Sequence, residues 1–238
     1  MSELLRKNNP IIWCSGCVLY SILNQVIKNI EKEGLKEPVC VSGIGCAARS
    51  SGYFNFDSVN ALHGRAIPIA EGIKRGNDDL NVFVLSGDGD LLAIGLNHLI
   101  HCSRRNTDIT IFCADNQIYG LTGGQASPTS QKGEITKSSP YGAEFEPINI
   151  QKILMSNKNY FYARTNAYNT EHLLYCIKES FKHKGFSFVD VKMACLTEWI
   201  DKGKVKKILE IKDNFQKNYD YVEEIRELND NEYGINKK

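Results

Sequence analysis

Val82-Phe83-Val84-Leu85-Ser86-Gly87-Asp88-Gly89-Asp90 is the stretch on which the fold turns. Four consecutive apolar residues suit a strand buried on both faces, as in a parallel sheet covered by helices. They run into a glycine-acid turn, and the turn runs into Leu91–Arg105, whose apolar residues recur at helical spacing. A strand handing over to a helix through glycines is where α/β sheets hold phosphates, on the backbone N–H groups of the helix N-terminus. Two carboxylates in such a turn repel a diphosphate, so the turn calls for a divalent cation such as Mg²⁺ between them.

Outward from this stretch the same alternation continues. Val39–Val41, Ile109–Cys113 and Phe186–Val191 are further apolar runs of strand length, while Val18–Glu31, Ala66–Arg75 and Glu171–Lys184 carry apolar residues at three- and four-residue spacing. The pattern predicts an α/β fold, a doubly wound and mostly parallel sheet with helices on both faces and ligands at the strand C-termini. Two long segments, Cys46–His63 and Tyr119–Pro147, have neither period and are rich in Gly, Ser, Thr and Pro; loops of that length are usually functional. Residues 1–200 are expected to form this domain. Residues 201–238 are expected to form a charged C-terminal extension in which Tyr219, Tyr221, Val222 and Ile225 hint at a partner-docking helix.

Composition narrows the function. With 238 residues the chain is long enough to bury roughly 70% of the surface its unfolded form exposes. Lys and Arg number 29 against 28 Asp and Glu, so no overall field recommends nucleic acid or an anionic membrane. The first ten residues lack the apolar core of a secretion signal, and no stretch is apolar enough to span a membrane, so the expected location is cytoplasmic. In that reducing compartment the eight cysteines are packing residues or ligands rather than disulfides.

Position separates them. Cys40 and Cys113 fall in strands and Cys102 and Cys176 in helices, where a small buried hydrophobe is the expected role. Cys14 and Cys17 form a CxxC, and Cys46 and Cys195 lie in turns after strands. Four thiolates suit a 4Fe-4S cube or a structural zinc, and spacing alone leaves both open; proximity of Cys46 to the Gly87–Asp90 turn favours an electron acceptor beside a cofactor. Beyond the strand Ile109–Cys113, Asn116 offers a side-chain oxygen to the same cation as Asp88.

Asp88 followed about 25 residues later by Asn116 resembles the thiamine-diphosphate motif, in which Mg²⁺ is bound by the Asp, the Asn and a carbonyl two residues on, here Ile118. Together with Trp13-Cys14-Ser15-Gly16-Cys17, Ser42-Gly43-Ile44-Gly45-Cys46, His63-Gly64-Arg65-Ala66, Gly87-Asp88-Gly89-Asp90, Asn97-His98-Leu99-Ile100-His101 and Tyr119-Gly120-Leu121-Thr122-Gly123-Gly124-Gln125, the chain resembles the β subunit of 2-oxoacid:ferredoxin oxidoreductases, nearest the 2-oxoglutarate branch. The likeness runs from about Ile12 to Cys195.

That resemblance implies thiamine-dependent oxidative decarboxylation of a 2-oxoacid, 2-oxoglutarate before pyruvate, to acyl-CoA and CO₂, with single electrons leaving through a 4Fe-4S cluster to ferredoxin. It implies an α subunit that supplies the aminopyrimidine side of the site, without which this chain is inactive. Cluster ligands map to Cys14, Cys17, Cys46 and Cys195; Mg²⁺ ligands to Asp88, Asn116 and Ile118. Cofactor contacts map to Ile44, Gly45, Cys46, Ala47, His63, Asp88, Gly89, Asp90, Asn116, Ile118, Gly120 and Leu121, with Arg49 and Leu121 placed toward the substrate. Three departures stand out: Val18 after Cys17 where the family usually has Gly, Ala47-Ala48 where relatives often have Ser-Gly, and Asp115-Asn116 where two Asn are usual.

Two other readings compete. Gly43-Ile44-Gly45-Cys46-Ala47-Ala48 formally matches a dinucleotide fingerprint, but Arg49–Phe56 has no helical pattern and no acid ends a strand about 20 residues on. A non-catalytic zinc or iron-sulfur scaffold accounts for the cysteines and leaves Asp88, Asp90 and Asn116 unused.

Overall fold

The computed structural model describes residues 2–201 and 208–238, so the start of the C-terminal extension, 202–207, lies outside the described residues. In chain order the elements are α1 (Leu19–Glu33), β1 (Pro38–Ser42), a 3₁₀ helix (Ala47–Tyr53), β2 (Ser58–Asn60), α2 (Ala66–Gly76), β3 (Asn81–Gly87), a π-helical turn (Asp90–Ile94), α3 (Leu96–Arg104) and β4 (Thr110–Asp115). A small hairpin, β5 (Ile118–Tyr119) with β6 (Gln125–Ala126), precedes α4 (Ile150–Met155), β7 (Phe161–Asn166), α5 (Thr170–Lys182) and β8 (Ser187–Lys192). The chain continues through α6 (Leu196–Asp201), α7 (Ile208–Lys217), β9 (Asp220–Tyr221) and β10 (Glu232–Lys237).

Eight strands form one sheet in the order β2-β1-β3-β4-β8-β7-β10-β9. From β2 to β7 every pair is parallel, and β10 runs antiparallel to β7. Alternation along each strand sends side chains to opposite faces. Phe83 and Leu85 join Phe112, Val189 and Phe161 beneath Ile22, Leu23, Val26 and Ile27 of α1 and Leu173 and Ile177 of α5. Val82 and Val84 face the other way, with Ile111 and Phe188, against Ile67 and Ala70 of α2, Leu99 of α3 and Leu154 of α4. Cys40, Cys102, Cys113 and Cys176 are fully buried within these two cores. The doubly wound arrangement predicted from the sequence is therefore the one observed.

Local chemistry sets the helix ends. Gly34 closes α1 at φ +63°, and Leu35 N–H donates to the Ile30 carbonyl at 3.0 Å, the αL cap that glycine adopts without a Cβ penalty. Asn149 and Asn169 cap α4 and α5 by accepting from Lys152 N–H at 3.0 Å and His172 N–H at 3.1 Å.

Four features depart from the expectations. The segment 46–63 is ordered as the 3₁₀ helix and β2 rather than as an irregular loop, and the helix predicted from Leu91 opens instead with the π-helical turn before α3. β7 has no counterpart in the predicted strands, because Arg164 and Asn166 interrupt its apolar pattern. Its guanidinium is buried yet satisfied: Nη1 donates to the Asn229 carbonyl at 2.8 Å, and Nε to the Tyr162 hydroxyl at 3.1 Å.

The fourth departure concerns residues 208–238, the described part of the extension set apart above. β10 is hydrogen-bonded into the main sheet, and Tyr233 is fully buried with Leu196, Ile211 and Phe215, its ring stacked on Tyr219 at 4.4 Å. At least one face of α7 is thus occupied within the chain. Tyr233→Ala is expected to lower unfolding free energy by about 3–5 kcal/mol in urea titration, as for other large core rings. The Tyr233 hydroxyl is buried without a hydrogen-bond partner among the described residues, so Tyr233→Phe is expected to be neutral or stabilising. An unchanged midpoint for the Ala variant would mean that the extension is separable from the domain.

Candidate active site

The crevice at the C-terminal ends of β1, β3 and β4 gathers residues from four separate motifs. It is lined by Ile44–Ala47 after β1, His63 before α2, Gly87–Asp90 after β3, and Asn116 with Ile118–Thr122 after β4. All of the residues mapped above as cofactor contacts therefore meet on one surface. Leu19, Ala114 and Met193 add apolar wall that the motifs did not mark.

Asp90 holds the first three segments together. Its Oδ1 accepts from Gly64 N–H at 2.7 Å and Ile44 N–H at 3.2 Å and lies 2.8 Å from His63 Nδ1, while Oδ2 accepts from Ser86 Oγ at 2.8 Å. Gly43 has to be glycine, since a Cβ there would overlap the Asp90 carboxylate. Asp90 is thus committed to fixing backbone, and it reaches the crevice as part of its floor. Gly89 is required for a related reason: a Cβ would strike the ring of Tyr119, whose hydroxyl donates to the Gly89 carbonyl at 3.2 Å.

After β4 the chain turns sharply. Asn116 Oδ1 accepts from Ile118 N–H at 3.2 Å, and Gln117 between them sits at φ +60°, a conformation non-glycine residues rarely adopt. The Ile118 carbonyl accepts from Gly120 N–H at 3.0 Å and retains a second lone pair. The turn brings Asn116 and Ile118 to the crevice beside Asp88.

Asp88 is 2% exposed. Its carboxyl is pushed up to about 7, first by burial and then by the negative charge of Asp115, against hydrogen bonds from Ser127 and Thr129. The Thr129 hydroxyl lies 2.8 Å from Asp88 Oδ2 and 2.7 Å from Asp115 Oδ1. One hydroxyl hydrogen serves only one acceptor, so near neutral pH this pair of acids accommodates either a proton or another cation. Asp115 in turn accepts from the Lys192 ammonium, which is also 3.0 Å from Asp190. Burial alone would lower the Lys192 amine, but Asp115 and Asp190 outweigh it and hold it well above its ordinary range. The charge placed beside Asn116 by the Asp115 departure is therefore neutralised from the next strand. A single buried carboxylate, an amide oxygen and a carbonyl fit a hard cation that takes its remaining ligands from a diphosphate.

The charges of Cys14, Cys46 and Cys195 all act on Cys17. Burial pushes the Cys17 thiol up to about 11, helped by the charges of Cys14, Cys46 and Cys195 and opposed by the Leu19 N–H. Cys46 and Cys195 are likewise raised by burial, and each feels Cys14. Trp13 Nε1 donates to the Cys46 carbonyl at 2.7 Å, tying the CxxC turn to the loop after β1. Cys195 forms part of the crevice wall's backing: a Cβ on Gly120 would lie 2.9 Å from its Sγ. Among the described residues no group of three or more His, Cys, Asp or Glu side chains is close enough to hold one metal ion. A cube places each thiolate on a different iron and so asks for wider spacing than a single zinc.

Arg49, mapped above toward the substrate, is exposed on the 3₁₀ helix, does not line the crevice, and acts on Cys46, whose thiol its charge lowers. Leu121 does line it and is 51% exposed. Sequence reasoning placed Thr129 only within a hydroxyl-rich loop expected to wall the cofactor, Tyr119–Ser130, and did not mark Asp115 or Lys192 as parts of the site. Only the Asp115 departure signalled them.

Known proteins resemble this chain in sequence and fold. The family of the thiamine pyrophosphate enzyme, C-terminal TPP binding domain, matches residues 43–191. The chain is 40% identical over 213 residues to the 2-oxoglutarate synthase subunit KorB of Methanothermobacter marburgensis, covering 89% of this chain and 75% of that protein. It is 43% identical over 201 residues to the 2-oxoacid:ferredoxin oxidoreductase subunit beta of a Sulfolobus species, covering 80% and 66%. Among solved structures, a 2-oxoglutarate:ferredoxin oxidoreductase from Magnetococcus marinus with 2-oxoglutarate, coenzyme A and succinyl-CoA bound superposes with a TM-score of 0.85 at 29% identity, over 97% of this chain and 82% of that one. Given the crevice and these relatives, the chain belongs to the β subunits of the 2-oxoacid:ferredoxin oxidoreductases, of the 2-oxoglutarate synthase type, and carries their thiamine-diphosphate-binding domain.

Proposed function

We propose that the chain holds thiamine diphosphate through Mg²⁺ bound by Asp88, Asn116 and the Ile118 carbonyl, and a 4Fe-4S cluster on Cys14, Cys17, Cys46 and Cys195. With an α subunit it catalyses oxidative decarboxylation of a 2-oxoacid to acyl-CoA and CO₂, passing single electrons to ferredoxin. The observation that carries this reading is that one crevice is lined both by Asp88, Asn116 and Ile118 and by Cys46, so a decarboxylating cofactor and a one-electron acceptor would sit side by side. The solved relative holds 2-oxoglutarate, coenzyme A and succinyl-CoA, which favours 2-oxoglutarate as the substrate here.

When bound, thiamine diphosphate supplies the electron sink for decarboxylation and the cluster the route for electrons. The chain's own residues bind and orient. Asp90 keeps Ile44, Gly64 and the Gly87–Asp90 turn in register, the buried Asp88 gives the cation a low-dielectric anchor, and the exposed Ile44 and Leu121 offer an apolar rim on which the α subunit closes and excludes water. Among the described residues no helix is long and apolar enough to cross a membrane, and unpaired thiols suit the reducing cytoplasm. The 201–238 segment, anchored by β10, is read as part of the same domain.

Asp88→Ala in the purified αβ complex is expected to raise the Mg²⁺ needed for thiamine diphosphate binding about 100-fold or more, a charged ligand being worth roughly 3 kcal/mol. Calorimetry with unchanged binding would remove Asp88 from the site. In the wild-type complex, Mg²⁺ affinity is expected to rise as pH rises through about 7, because the cation displaces the proton that burial holds on Asp88, and Asp88→Asn should flatten that slope.

Anaerobic purification is expected to give about four irons and four sulfides per chain. Cys17→Ser should lose both while leaving Mg²⁺-dependent cofactor binding in place. Zinc in their stead, without cofactor binding, would favour the scaffold role.

A further inference from the structure

The Ser127–Ser130 turn lies in the long segment between β4 and α4, away from every motif that marks the site, yet its side chains reach both halves of the cation site. Thr129 Oγ1 is 2.8 Å from Asp88 Oδ2, and Ser130 Oγ donates to the Gln117 carbonyl at 2.6 Å. The turn is itself rigid: Ser127 N–H donates to Ser130 Oγ at 2.8 Å, Ser130 N–H to the Ser127 carbonyl at 3.1 Å, and Ser127 Oγ lies 3.1 Å from Thr129 Oγ1. Ser127, Thr129 and Ser130 are all buried, at 8%, 2% and 4% exposure. Ile148 N–H donates to the Pro128 carbonyl at 2.9 Å, fixing the turn to the segment that leads into α4.

We propose that this turn is a clamp that sets the spacing between the two cation-ligand loops, with Thr129 and Ser130 as positioning residues. The inference rests on the Mg²⁺ assignment made above and adds to it the parts that make the site's geometry. Asp88 and Asn116 end different strands, and the bond between their loops from the Tyr119 hydroxyl to the Gly89 carbonyl at 3.2 Å touches neither ligand. The clamp grips each of them: Thr129 fixes one carboxylate oxygen of Asp88, so that the other keeps a set direction, and Ser130 grips the carbonyl of Gln117, whose left-handed backbone aims Asn116 and Ile118.

Thr129 can serve Asp88 because its other neighbour has donors of its own. Asp115, whose Oδ1 is 2.7 Å from the same hydroxyl, takes the Lys192 ammonium on Oδ2 and Gln117 N–H on Oδ1 at 3.0 Å, so it keeps other donors when the hydroxyl's single hydrogen turns to Asp88.

The test uses the αβ complex and Mg²⁺ as the probe, measuring the half-saturating Mg²⁺ for thiamine diphosphate binding and, separately, cofactor affinity at saturating Mg²⁺. Thr129→Val is expected to raise half-saturating Mg²⁺ about tenfold, with cofactor affinity at saturating Mg²⁺ near wild type. Thr129→Ser, which keeps the hydroxyl, should stay within about threefold of wild type, and Ser130→Ala should shift the same Mg²⁺ midpoint in the same direction. If Thr129→Val does not fold, Thr129→Ala is read in its place. A Mg²⁺ midpoint within about twofold of wild type for Thr129→Val and Ser130→Ala, or equal losses at limiting and saturating Mg²⁺, overturns the clamp and leaves the cation site standing. Cofactor binding that is indifferent to Mg²⁺ in the wild type overturns both.

Discussion

The carboxylate of Asp90 is the constraint on which the crevice depends. Buried at 2% exposure, it gathers the loop after β1, the turn before α2 and the hydroxyl of Ser86 around two oxygens. A buried charge is tolerated only when its hydrogen-bonding capacity is used, and here every partner is a backbone N–H or side chain whose position then follows from the carboxylate's. This is why Gly43 has no room for a side chain, and why Ile44–Ala47 face Asp88 although about 40 residues of chain separate them.

Two adjacent acids play opposite parts. Asp90 takes several donors whose positions it fixes, whereas Asp88 shares the Thr129 hydroxyl with a second acid. The first is therefore architecture and the second an unmet demand for positive charge. The Lys192–Asp115 pair shows how the chain can depart from the usual pair of Asn residues without adding net charge to the site: the new carboxylate arrives with an ammonium from the adjacent strand. Asp190, Arg164 and Tyr162 extend this polar layer toward β10, so the C-terminal strand rests on the same buried network as the site.

Much of this was legible in the sequence because runs such as Val82–Leu85 have no polar residue to interrupt them, and glycine-acid turns report where backbone meets ligand. The strands that escaped notice failed on the same criterion. β7 buries Arg164 and Asn166, whose cost is met by partners far along the chain, and β10 lies within a charged tail. Thr129 and Ser130 lie in a hydroxyl-rich loop that the sequence marks as functional, but only the three-dimensional path of the segment shows that they reach Asp88 and Gln117. Arg49, placed toward the substrate by its spacing from Cys46, is exposed on the 3₁₀ helix and is not among the residues that line the crevice.

The thiols carry a consequence for how the protein is assembled. Cys17, Cys46 and Cys195 all hold their protons more tightly than a free cysteine, because each is partly removed from water and surrounded by the others. Iron binds thiolate, so loading the proposed cluster would release protons to solvent. Acidification would therefore work against that loading, and the same protonation makes the unloaded thiols poorer nucleophiles toward oxidants.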